Sequence, residues 1–428
     1  MGRLMTSSLA AGAVLIAITA LAPGGCTVRK VVDDDEDVVG AGSGGETGTG
    51  GEGGTSLPTY PIPEPVGPWN LCPGTTEVSA EATVVPAHEA ADHFWLGWED
   101  GENFRTVDAT ATFPDAGSWR RIFLEVDVAC PEDGRCDWWD RGATISLVDG
   151  PGQGGGDNNE NDDDDDEVII ELTRHMTPYR RGMCFVADVT DLAPRLRGEK
   201  TIRSFIDTWV GPGHSNGSGW RVTTRFIMHP GRPDPAVVPR RVIPLWNPNA
   251  EDRLVPAGDP AQPVADALPP REIAIPADTT RASLLLHVTG HGQGNLGNCA
   301  EFCDMTHRIT IGGTPVEFIP WRDDCADNPI DDQLGTWRFD RAGWCPGAYV
   351  APTRIDVSDH VQPGETVSFT YDILDEAGDP YVNTCRPNAG DANNQCAGCT
   401  NFGPNNCDYN NNGHTAPYHR IGVQLLTY

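Results

Sequence analysis

Three acidic residues stand in settings that suit catalysis. Asp140 follows two tryptophans, Asp207 lies in the apolar segment 205–209, which is predicted to be a strand, and Glu301 lies between Cys299 and Cys303. A short loop closed by a disulfide bond would hold the glutamate rigidly, as a preorganised site requires. Carboxylates accept hydrogen bonds from sugar hydroxyls, and indole rings stack on the apolar faces of sugars. These residue types indicate a carbohydrate site, although each acid taken singly is more typical of a solvated or salt-bridged position near a strand.

The segments that must position these acids alternate between apolar and polar residues. Ile122, Leu124 and Val126 point one way, while Glu125 and Asp127 point the other. The same period of two occurs at residues 168–172, 220–228, 283–288, 307–311, 367–373 and 421–425. Clusters of glycine, proline and asparagine separate these segments. The pattern predicts an all-β protein of antiparallel sheets.

An internal repeat indicates two related domains. The segments 136–141 and 303–308 each begin with Cys-Asp and end in arginine, and each precedes a short strand. The segments Asp188–Asp191 and Asp356–Asp359 form a second pair of similar segments. The offset is 188 − 136 = 52 residues in the first half and 356 − 303 = 53 in the second. Two repeated segments at nearly the same offset predict duplicated β domains of the jelly-roll kind. A proline-rich linker at residues 230–239 would join them.

The charge of the chain excludes one class of partner. The formal net charge is -32, from 62 acidic and 30 basic residues. Binding a polyanion needs a positive surface, so we expect no nucleic acid partner. Part of the acid lies in an insert at residues 151–167, and such a run is typical of a solvated, disordered segment.

The amino terminus has the features of an export signal. Arg3 precedes the apolar segment 9–22, which is too short to span a bilayer, and Gly24-Gly25 precede Cys26. That order resembles a bacterial lipobox and predicts removal of residues 1–25 and lipidation of Cys26. Pro23 is unusual there, so ordinary signal-peptide cleavage is the alternative. We expect an exported protein, either secreted or a lipoprotein of the cell envelope in the outer membrane, which meets the membrane only through its lipid anchor.

The segment after Cys26 predicts a tether. Residues 26–71 are acidic and rich in glycine and proline, and they carry too few large apolar side chains to form a core. We expect this segment to be disordered and the folded part of the chain to begin near Cys72.

The cysteines predict a disulfide framework. The chain has 13 cysteines, and an even number remains once Cys26 is set aside. The local pairs favoured by spacing are Cys130 with Cys136, Cys299 with Cys303 and Cys325 with Cys345, and Cys72 could pair with Cys184. The loop 385–407 contains Cys385, Cys396, Cys399 and Cys407, which allow three connectivities. The spacing of Cys396 and Cys399 also fits zinc, but export favours disulfides.

Residues 290–357 closely resemble the peptide-N-glycosidase F family. The matching segments are 299–303, Thr306-His307, 325–330, 340–347 and 352–357. The first half matches more thinly, at Cys136-Asp137, 139–141, 177–179, 188–191 and Thr208-Trp209. The segments occur in the family's order, and the resemblance covers roughly residues 100–428.

This resemblance implies a fold and an activity. The fold would be two eight-stranded antiparallel jelly rolls side by side, stapled by disulfides, at residues 72–232 and 239–428, with the active site at their interface. The activity would be hydrolysis of the amide between asparagine and the first N-acetylglucosamine of an N-glycan, giving aspartate and a glycosylamine. The substrates would be N-glycosylated proteins or glycopeptides. We expect a monomer that needs no cofactor and no metal.

The resemblance also implies roles for individual residues. Asp140 matches the family's principal catalytic aspartate and Glu301 a catalytic glutamate. Asp207 stands where the family has a second glutamate and is one methylene shorter. The positions that match residues in or beside the substrate cleft are Arg141, Trp139, Trp209, Arg341 and Trp344. His291 and Gln293 stand where the family has tryptophan and histidine.

Three other functions compete with the amidase. A non-catalytic glycan-binding surface protein on the same scaffold is the strongest, because Asp207, His291 and Gln293 depart from the family pattern. The double jelly roll also resembles that of ascorbate-dependent copper monooxygenases. Those enzymes need several histidines and a methionine, whereas this chain offers only Met305 and His307 in the corresponding region. A structural or adhesion role is the third alternative.

Overall fold

The structure, a computed structural model, describes residues 80–97, 103–151, 167–247, 254–259, 262–292, 300–330, 332–382 and 417–428. All of them belong to one unit, Ser56–Tyr428. Several predictions lie outside the described residues. They concern Cys26, the tether 26–71, Cys72, residues 152–166 of the acidic insert, Gln293, Cys299 and the loop 385–407.

Two antiparallel sheets are built mainly from residues before 231. The first contains β1 (Thr83–Pro86), β2 (Ala91–His93), β4 (Trp119–Ala129), β7 (Met183–Asp188) and β9 (Trp220–Pro230). Its order is β1-β9-β4-β7, and β2 also pairs with β9. The second contains β3 (Thr106–Phe113), β5 (Gly142–Pro151), β6 (Glu167–Met176), β8 (Gly198–Ile206) and β16 (Ala348–Val350), in the order β16-β6-β5-β8-β3.

Two further antiparallel sheets come from the second half of the chain. The third contains β10 (Arg241–Trp246), β11 (Val255–Pro256), β13 (Ala282–His291), β17 (Thr353–Asp356) and β19 (Tyr418–Thr427). Its order is β10-β19-β13-β17, and β11 also pairs with β19. The fourth contains β12 (Arg271–Ala274), β14 (Thr306–Ile311), β15 (Thr314–Phe318) and β18 (Thr366–Leu374), in the order β12-β18-β14-β15.

Helices are short throughout the described residues. One α-helix spans Val264–Ala267, and 3-10 helices span Thr190–Leu192, Cys325–Asp327 and Ser358–His360. A search of the described residues finds no helix with the length and apolarity needed to span a bilayer. The predicted all-β fold with antiparallel sheets is confirmed, and each alternating segment falls within a strand. The eight-stranded jelly-roll arrangement and the domain limits stay predictions.

Each half of the described chain encloses an apolar core between two sheets. Leu124 and Val126 of β4 pack in one cluster with Ile145 and Leu147 of β5, and all four are fully buried. The corresponding cluster of the second half joins β13 and β19 to β14 and β18. Alternation therefore buries one face of each strand, as expected for sheets that pack face to face.

The second and third sheets meet across a polar layer. Along β13, Leu284, Leu286 and Val288 belong to the second core, whereas Thr289 faces the second sheet. Arg174 of β6 donates from Nη1 to Thr289 Oγ1 at 2.9 Å and to the Arg420 carbonyl oxygen at 2.7 Å. Both faces of β13 are thus buried, which explains its run of residues with almost no exposure.

The predicted repeat has a structural counterpart. The Thr190 N–H donates to Asp188 Oδ1 at 2.9 Å, and the Ser358 N–H donates to Asp356 Oδ1 at the same distance. Each of these turns leads into a 3-10 helix, which begins at Thr190 in one case and at Ser358 in the other. Each hydroxyl also accepts a hydrogen bond from the backbone of a long central strand, β4 or β13. The two halves therefore repeat local structure as well as sequence.

Two of the predicted disulfide bonds are present. Cys130 is bonded to Cys136 and Cys325 to Cys345, with Cα–Cα distances of 4.5 and 5.3 Å. Cys303 is also disulfide-bonded, and its predicted partner Cys299 lies outside the described residues.

Candidate functional site

One buried guanidinium connects two of the predicted acids. Arg341 Nη1 donates to Glu301 Oε1 at 2.7 Å and lies 3.4 Å from Asp140 Oδ2. The Arg341 side chain is fully buried, whereas the side chains of Asp140 and Glu301 remain 14% and 18% exposed. Asp140 precedes β5 and Glu301 precedes β14, so the structure brings together acids that are 161 residues apart in sequence (301 − 140).

The orientation of Arg341 is fixed on every side. Its Nε donates to the Phe339 carbonyl oxygen at 3.1 Å, and its Nη2 donates to both the carbonyl and the hydroxyl of Thr336. The guanidinium carbon lies 4.9 Å from the ring centroid of Phe302 and 4.4 Å from that of Trp344. A guanidinium held in this way cannot turn, and its remaining edge is directed at the two carboxylates.

Burial changes the acidity of both carboxyl groups. Desolvation raises the pKa of Glu301 to about 7, against the opposing charge of Arg341, and the nearby Asp140 raises it further. Desolvation likewise raises the pKa of Asp140, opposed by Arg341, by a hydrogen bond from the Tyr179 side chain and by Arg141. Two acids with raised pKa values at one guanidinium are typical of a site that transfers protons.

Asp207 occupies a separate ion-pair cluster. It follows β8 directly, so it stands one residue beyond the strand in which the sequence suggested it. Arg105 Nη1 lies 3.3 Å from Asp207 Oδ1, and Arg420 Nη2 donates to Oδ2 at 2.9 Å. Within the described part of the chain, no hydrogen bond or ion pair joins Asp207 to Asp140 or Glu301. The Asp207 N–H bonds to the Gly142 carbonyl oxygen at 3.0 Å, which ties it to the start of β5, two residues after Asp140.

Asp137 organises the segment that carries Asp140. Its fully buried carboxylate accepts from Arg141 Nε at 2.7 Å, from the Thr208 hydroxyl at 2.8 Å and from the Trp139 N–H at 3.1 Å. Arg141 is therefore engaged with Asp137 at the base of the segment. In the sequence Asp137 belongs to a segment that matches the family, but nothing there indicates that its carboxylate is buried.

The predicted aromatic residues divide into exposed and buried groups. Trp139 and Trp209 are 50% and 39% exposed, and Arg105 lies 4.3 Å from the Trp209 ring centroid. Trp344 is only 3% exposed, and its indole N–H donates to the Gly290 carbonyl oxygen at 2.7 Å. Trp139 and Trp209 can therefore contact a ligand, while the buried Trp344 ring packs against the Arg341 guanidinium.

His291 is a packed, neutral side chain. Its ring lies 5.2 Å from that of Trp344 and 5.1 Å from that of Tyr418, and its Nε2 is 2.9 Å from Thr289 Oγ1. Burial holds its pKa well below the usual range. His291 thus fills the space between Trp344 and Tyr418.

The two residues considered for copper, Met305 and His307, have other contacts. His307 Nδ1 is 2.8 Å from the Tyr371 hydroxyl, and Met305 belongs to the second apolar core. In the described ranges, no group of three or more histidine, cysteine, aspartate or glutamate side chains is arranged to hold a metal ion.

Several residues of the site were missed by sequence reasoning. They are Tyr179, Arg105, Arg420, Thr336 and Phe302. Tyr179 stood in a quoted segment but carried no signal of its contact with Asp140. Arg105 and Arg420 bind Asp207 from positions 102 and 213 residues away. Long-range contacts of this kind leave no local pattern in the sequence.

Comparison with known proteins agrees with this antiparallel β fold. A sequence model for the C-terminal region of peptide-N-glycosidase F matches residues 262–408. The peptide-N(4)-(N-acetyl-beta-D-glucosaminyl)asparagine amidase F of Elizabethkingia miricola is 30% identical over 286 residues, which cover 62% of this chain and 72% of that protein. The chain belongs to the peptide-N-glycosidase F family.

Solved structures show the same fold. The structure of PNGase F, a glycosylasparaginase from Flavobacterium meningosepticum, superposes with a TM-score of 0.59 at 21% identity, covering 81% of this chain and 95% of that one. A structure of PNGF-II gives a TM-score of 0.58 at 18% identity, covering 82% of this chain and 65% of that one.

Proposed function

We propose that this protein hydrolyses the amide bond between asparagine and the first N-acetylglucosamine of N-linked glycans. The observation that carries the proposal is the bridge from Arg341 to both Asp140 and Glu301, in a chain of the peptide-N-glycosidase F family. The substrates would be N-glycosylated proteins or glycopeptides. The exposed indoles of Trp139 and Trp209 offer apolar faces for sugar rings beside these acids.

In the proposed reaction Asp140 is the general base. It accepts a proton from a water molecule as the water oxygen bonds to the side-chain carbonyl carbon of asparagine. The carbon–nitrogen bond then breaks, and the proton on Asp140 passes to the leaving nitrogen. The products are aspartate and a glycosylamine, so atoms and charges balance. A raised pKa makes the Asp140 carboxylate a stronger base and a usable proton donor in the second step.

Glu301 would act in its ionised form. Its oxygens accept from Arg341 Nη1 and from the Gly292 N–H, at 2.7 and 3.4 Å, and a carboxylate accepts both bonds more strongly than a neutral carboxyl group. Ionised Glu301 would keep Arg341 in place and orient the substrate and the water. Arg341, or Arg141, whose charge also acts on Asp140, would stabilise negative charge on the amide oxygen.

Asp207 would position the sugar. Both of its oxygens already accept from arginines, so it is suited to a fixed acceptor and not to proton transfer. Its shorter side chain is held by Arg105 and Arg420, which set how far its carboxylate extends. Replacement by asparagine should reduce turnover less than replacement of Asp140, because only Asp140 carries a transferred proton.

The test uses a denatured N-glycoprotein and the chain from about residue 70, prepared under oxidising conditions. Mass spectrometry should find asparagine converted to aspartate and released glycosylamine. Asp140→Asn should reduce the rate by roughly a thousandfold while circular dichroism shows an unchanged fold. If a folded sample gave neither product with several glycan classes, the amidase would be excluded, and glycan binding on the same scaffold would be the function to test.

We also propose that the protein works outside the cytoplasm as a lipid-anchored monomer. The two described disulfide bonds support an oxidising compartment. Labelled fatty acid should be incorporated into the wild-type chain and not into Cys26→Ser. Incorporation into both chains would exclude Cys26 as the lipidated residue.

A further inference from the structure

An exposed tryptophan beside Asp140 is covered on one face by an arginine. The guanidinium carbon of Arg180 lies 3.5 Å from the ring centroid of Trp138, and the Trp138 side chain is 37% exposed. Backbone hydrogen bonds hold both residues: the Trp138 N–H donates to the Asn216 carbonyl oxygen at 3.0 Å, and the Arg180 N–H donates to the Asp137 carbonyl oxygen at 3.1 Å. The ring is therefore fixed and open to solvent.

Arg180 adopts a backbone conformation that disfavours it. Its φ is +60°, in the left-handed region that is strained for a residue with a Cβ. Such strain persists where the surrounding structure demands it, and it is concentrated at binding and active sites. Here the conformation places a cation over an indole, one residue after Tyr179, which bonds to Asp140.

The Arg180 guanidinium has donors to spare. Across the described residues, no carboxylate or carbonyl oxygen accepts a hydrogen bond from its side chain. Arg141, Arg341 and Arg420, by contrast, each donate to a carboxylate. An arginine that stacks on a ring but keeps its fork of N–H donors unused is suited to an incoming group with several acceptors.

We propose that Trp138 and Arg180 form a sugar subsite, which binds a ring of the glycan beyond the sugar attached to asparagine. The chemistry favours a sugar because a glycan offers both apolar C–H faces for the open side of the indole and hydroxyl acceptors, on the same ring's edge or on the next ring, for the guanidinium. The proposal rests on the proposed function for the direction of the glycan. Trp138 and Asp140 are two residues apart, so their Cα atoms are separated by at most about 7 Å. A glycan whose first sugar lies at Asp140 would bring its next rings to this subsite.

The decisive comparison varies the glycan and keeps the peptide constant. One glycopeptide carries only the two N-acetylglucosamine residues, and the other carries the same pair extended by three mannose residues. Trp138→Ala should reduce kcat/KM for the longer glycan by roughly three- to tenfold and leave that for the shorter glycan unchanged. An equal loss on both glycans would overturn the subsite, while cleavage itself would still support the amidase.

Arg180→Gly separates ligand binding from a structural role. Glycine adopts φ of +60° without strain, so the unfolding midpoint should stay the same or rise while kcat/KM for the longer glycan falls. Arg181→Ala is the matched control, because it removes the same charge from the next, exposed position. A lower unfolding midpoint with unchanged selectivity for Arg180→Gly would show that the arginine only supports the fold.

Two further measurements separate the sugar subsite from the proposed amidase activity and from a subsite that binds polypeptide. Calorimetric titration with the free mannose-containing pentasaccharide needs no turnover, and Trp138→Ala should weaken binding by a similar factor. If the wild-type protein bound it through Trp138 but cleaved nothing, the subsite would stand and the proposed function would fail. If the loss in Trp138→Ala followed the length of the peptide and not that of the glycan, the subsite would take polypeptide and the sugar assignment would be wrong.

Discussion

At the scale of single residues, the site depends on how one guanidinium is shared. Arg341 Nη1 contacts carboxylates from both halves of the chain, and the other nitrogens of the same group are committed to Thr336 and Phe339. A lysine at this position could reproduce the charge but not five directed donors. The position of Glu301 relative to Asp140 is therefore set by the planarity of a single side chain.

The raised pKa of Glu301 predicts how activity depends on pH. Because its pKa is about 7 and the ionised form is the one that accepts from Arg341, kcat/KM should rise as the pH rises through about 7. Glu301→Gln should lower the rate and remove this inflection. The control is Glu365→Gln, at an exposed position, which should leave the profile unchanged. An inflection near pH 7 that survived in Glu301→Gln would assign the titration to another group.

The same group links stability to pH. Between its unperturbed value of 4.5 and about 7, folded Glu301 keeps a proton that the unfolded chain has released. The folded state then binds more protons, so the free energy of unfolding falls as the pH rises through this interval and levels off above it. Urea denaturation of Glu301→Gln should lack this contribution. An identical pH dependence for both proteins would contradict the raised pKa.

The sequence could identify some residues of the site but not their surroundings. Asp140, Glu301 and Arg341 were predicted from segments in family order, and the structure brings them together. Trp344 was expected in or beside the cleft, and the structure shows its ring buried against the Arg341 guanidinium. Whether an indole faces solvent or supports a charge depends on residues distant in sequence, so a motif cannot decide it.

At the scale of elements, a bulge in β6 creates a buried ion pair. Thr173 pairs with Ile145 and Glu171 with Ser146, so Leu172 has no partner across the ladder. Residues three apart in a regular strand face opposite ways, and the extra residue brings Glu171 and Arg174 to one face. Arg174 Nε and Nη2 donate to the Glu171 oxygens at 2.7 and 2.9 Å.

Breaking this pair should be costly, whereas replacing both members should not. Arg174→Met alone leaves the buried Glu171 carboxylate with only the His287 ring nearby, at 4.0 Å, and should lower the free energy of unfolding by about 3–5 kcal/mol. Glu171→Leu combined with Arg174→Met should recover most of that loss. Urea denaturation measures both, with Arg240→Met, from the exposed pair with Asp278, as the control that costs below about 1 kcal/mol. A stable Arg174→Met protein would mean that the pair contributes no specificity or stability.

The disulfide bond between Cys325 and Cys345 encloses the loop that carries Thr336, Phe339 and Arg341. Replacing both cysteines by serine should lower the free energy of unfolding by about 3 kcal/mol. Without the bond, the segment between the two cysteines gains conformational entropy in the unfolded state. The turnover number should fall as well, since Arg341 loses its rigid frame. The shorter Cys130–Cys136 loop, with a separation of 6 residues, provides a comparison at about 2 kcal/mol. Unchanged turnover without the Cys325–Cys345 bond would show that the hydrogen bonds alone hold the loop.

Strands were the most predictable elements. Period-two alternation located β4, β6, β9, β13, β14, β18 and β19, because burial of one face imposes that period. The bulge at Leu172 was not predictable, since an extra residue in a strand leaves the alternation on either side intact. Asp207 was placed within a strand, and it instead follows β8 as the chain turns toward Arg105.

At the scale of the whole molecule, the two halves share structure across the polar layer between the second and third sheets. β16 belongs to the second half in sequence but pairs with β6 of the first. The sequence repeat predicted duplicated halves, and the paired Asp188 and Asp356 turns agree with it. Nothing in the sequence indicated that β16 pairs with β6 or that a polar layer separates the second and third sheets. Both features depend on which sheet faces come together in the folded protein.

The shared layer predicts that the first half does not stand alone. A fragment of residues 72–232 would expose Glu171 and Arg174 to solvent and leave β6 as an unpaired edge. We expect limited proteolysis to digest this fragment and calorimetry to show no cooperative unfolding. Co-expression with residues 239–428 should restore both resistance to the protease and cooperative unfolding. Cooperative unfolding of the fragment at the midpoint of the whole protein would show that the halves are independent domains.

The place of β19 has a consequence for the order of events during synthesis. This strand follows all other described strands in the sequence, yet it lies between β10 and β13 and carries Arg420 to Asp207. A ribosome therefore releases Asp140, Asp207, Glu301 and Arg341 before the strand that completes their surroundings. The site should therefore stay incomplete until β19 inserts between β10 and β13, so the surroundings of Asp207 form only once this strand has folded into its sheet.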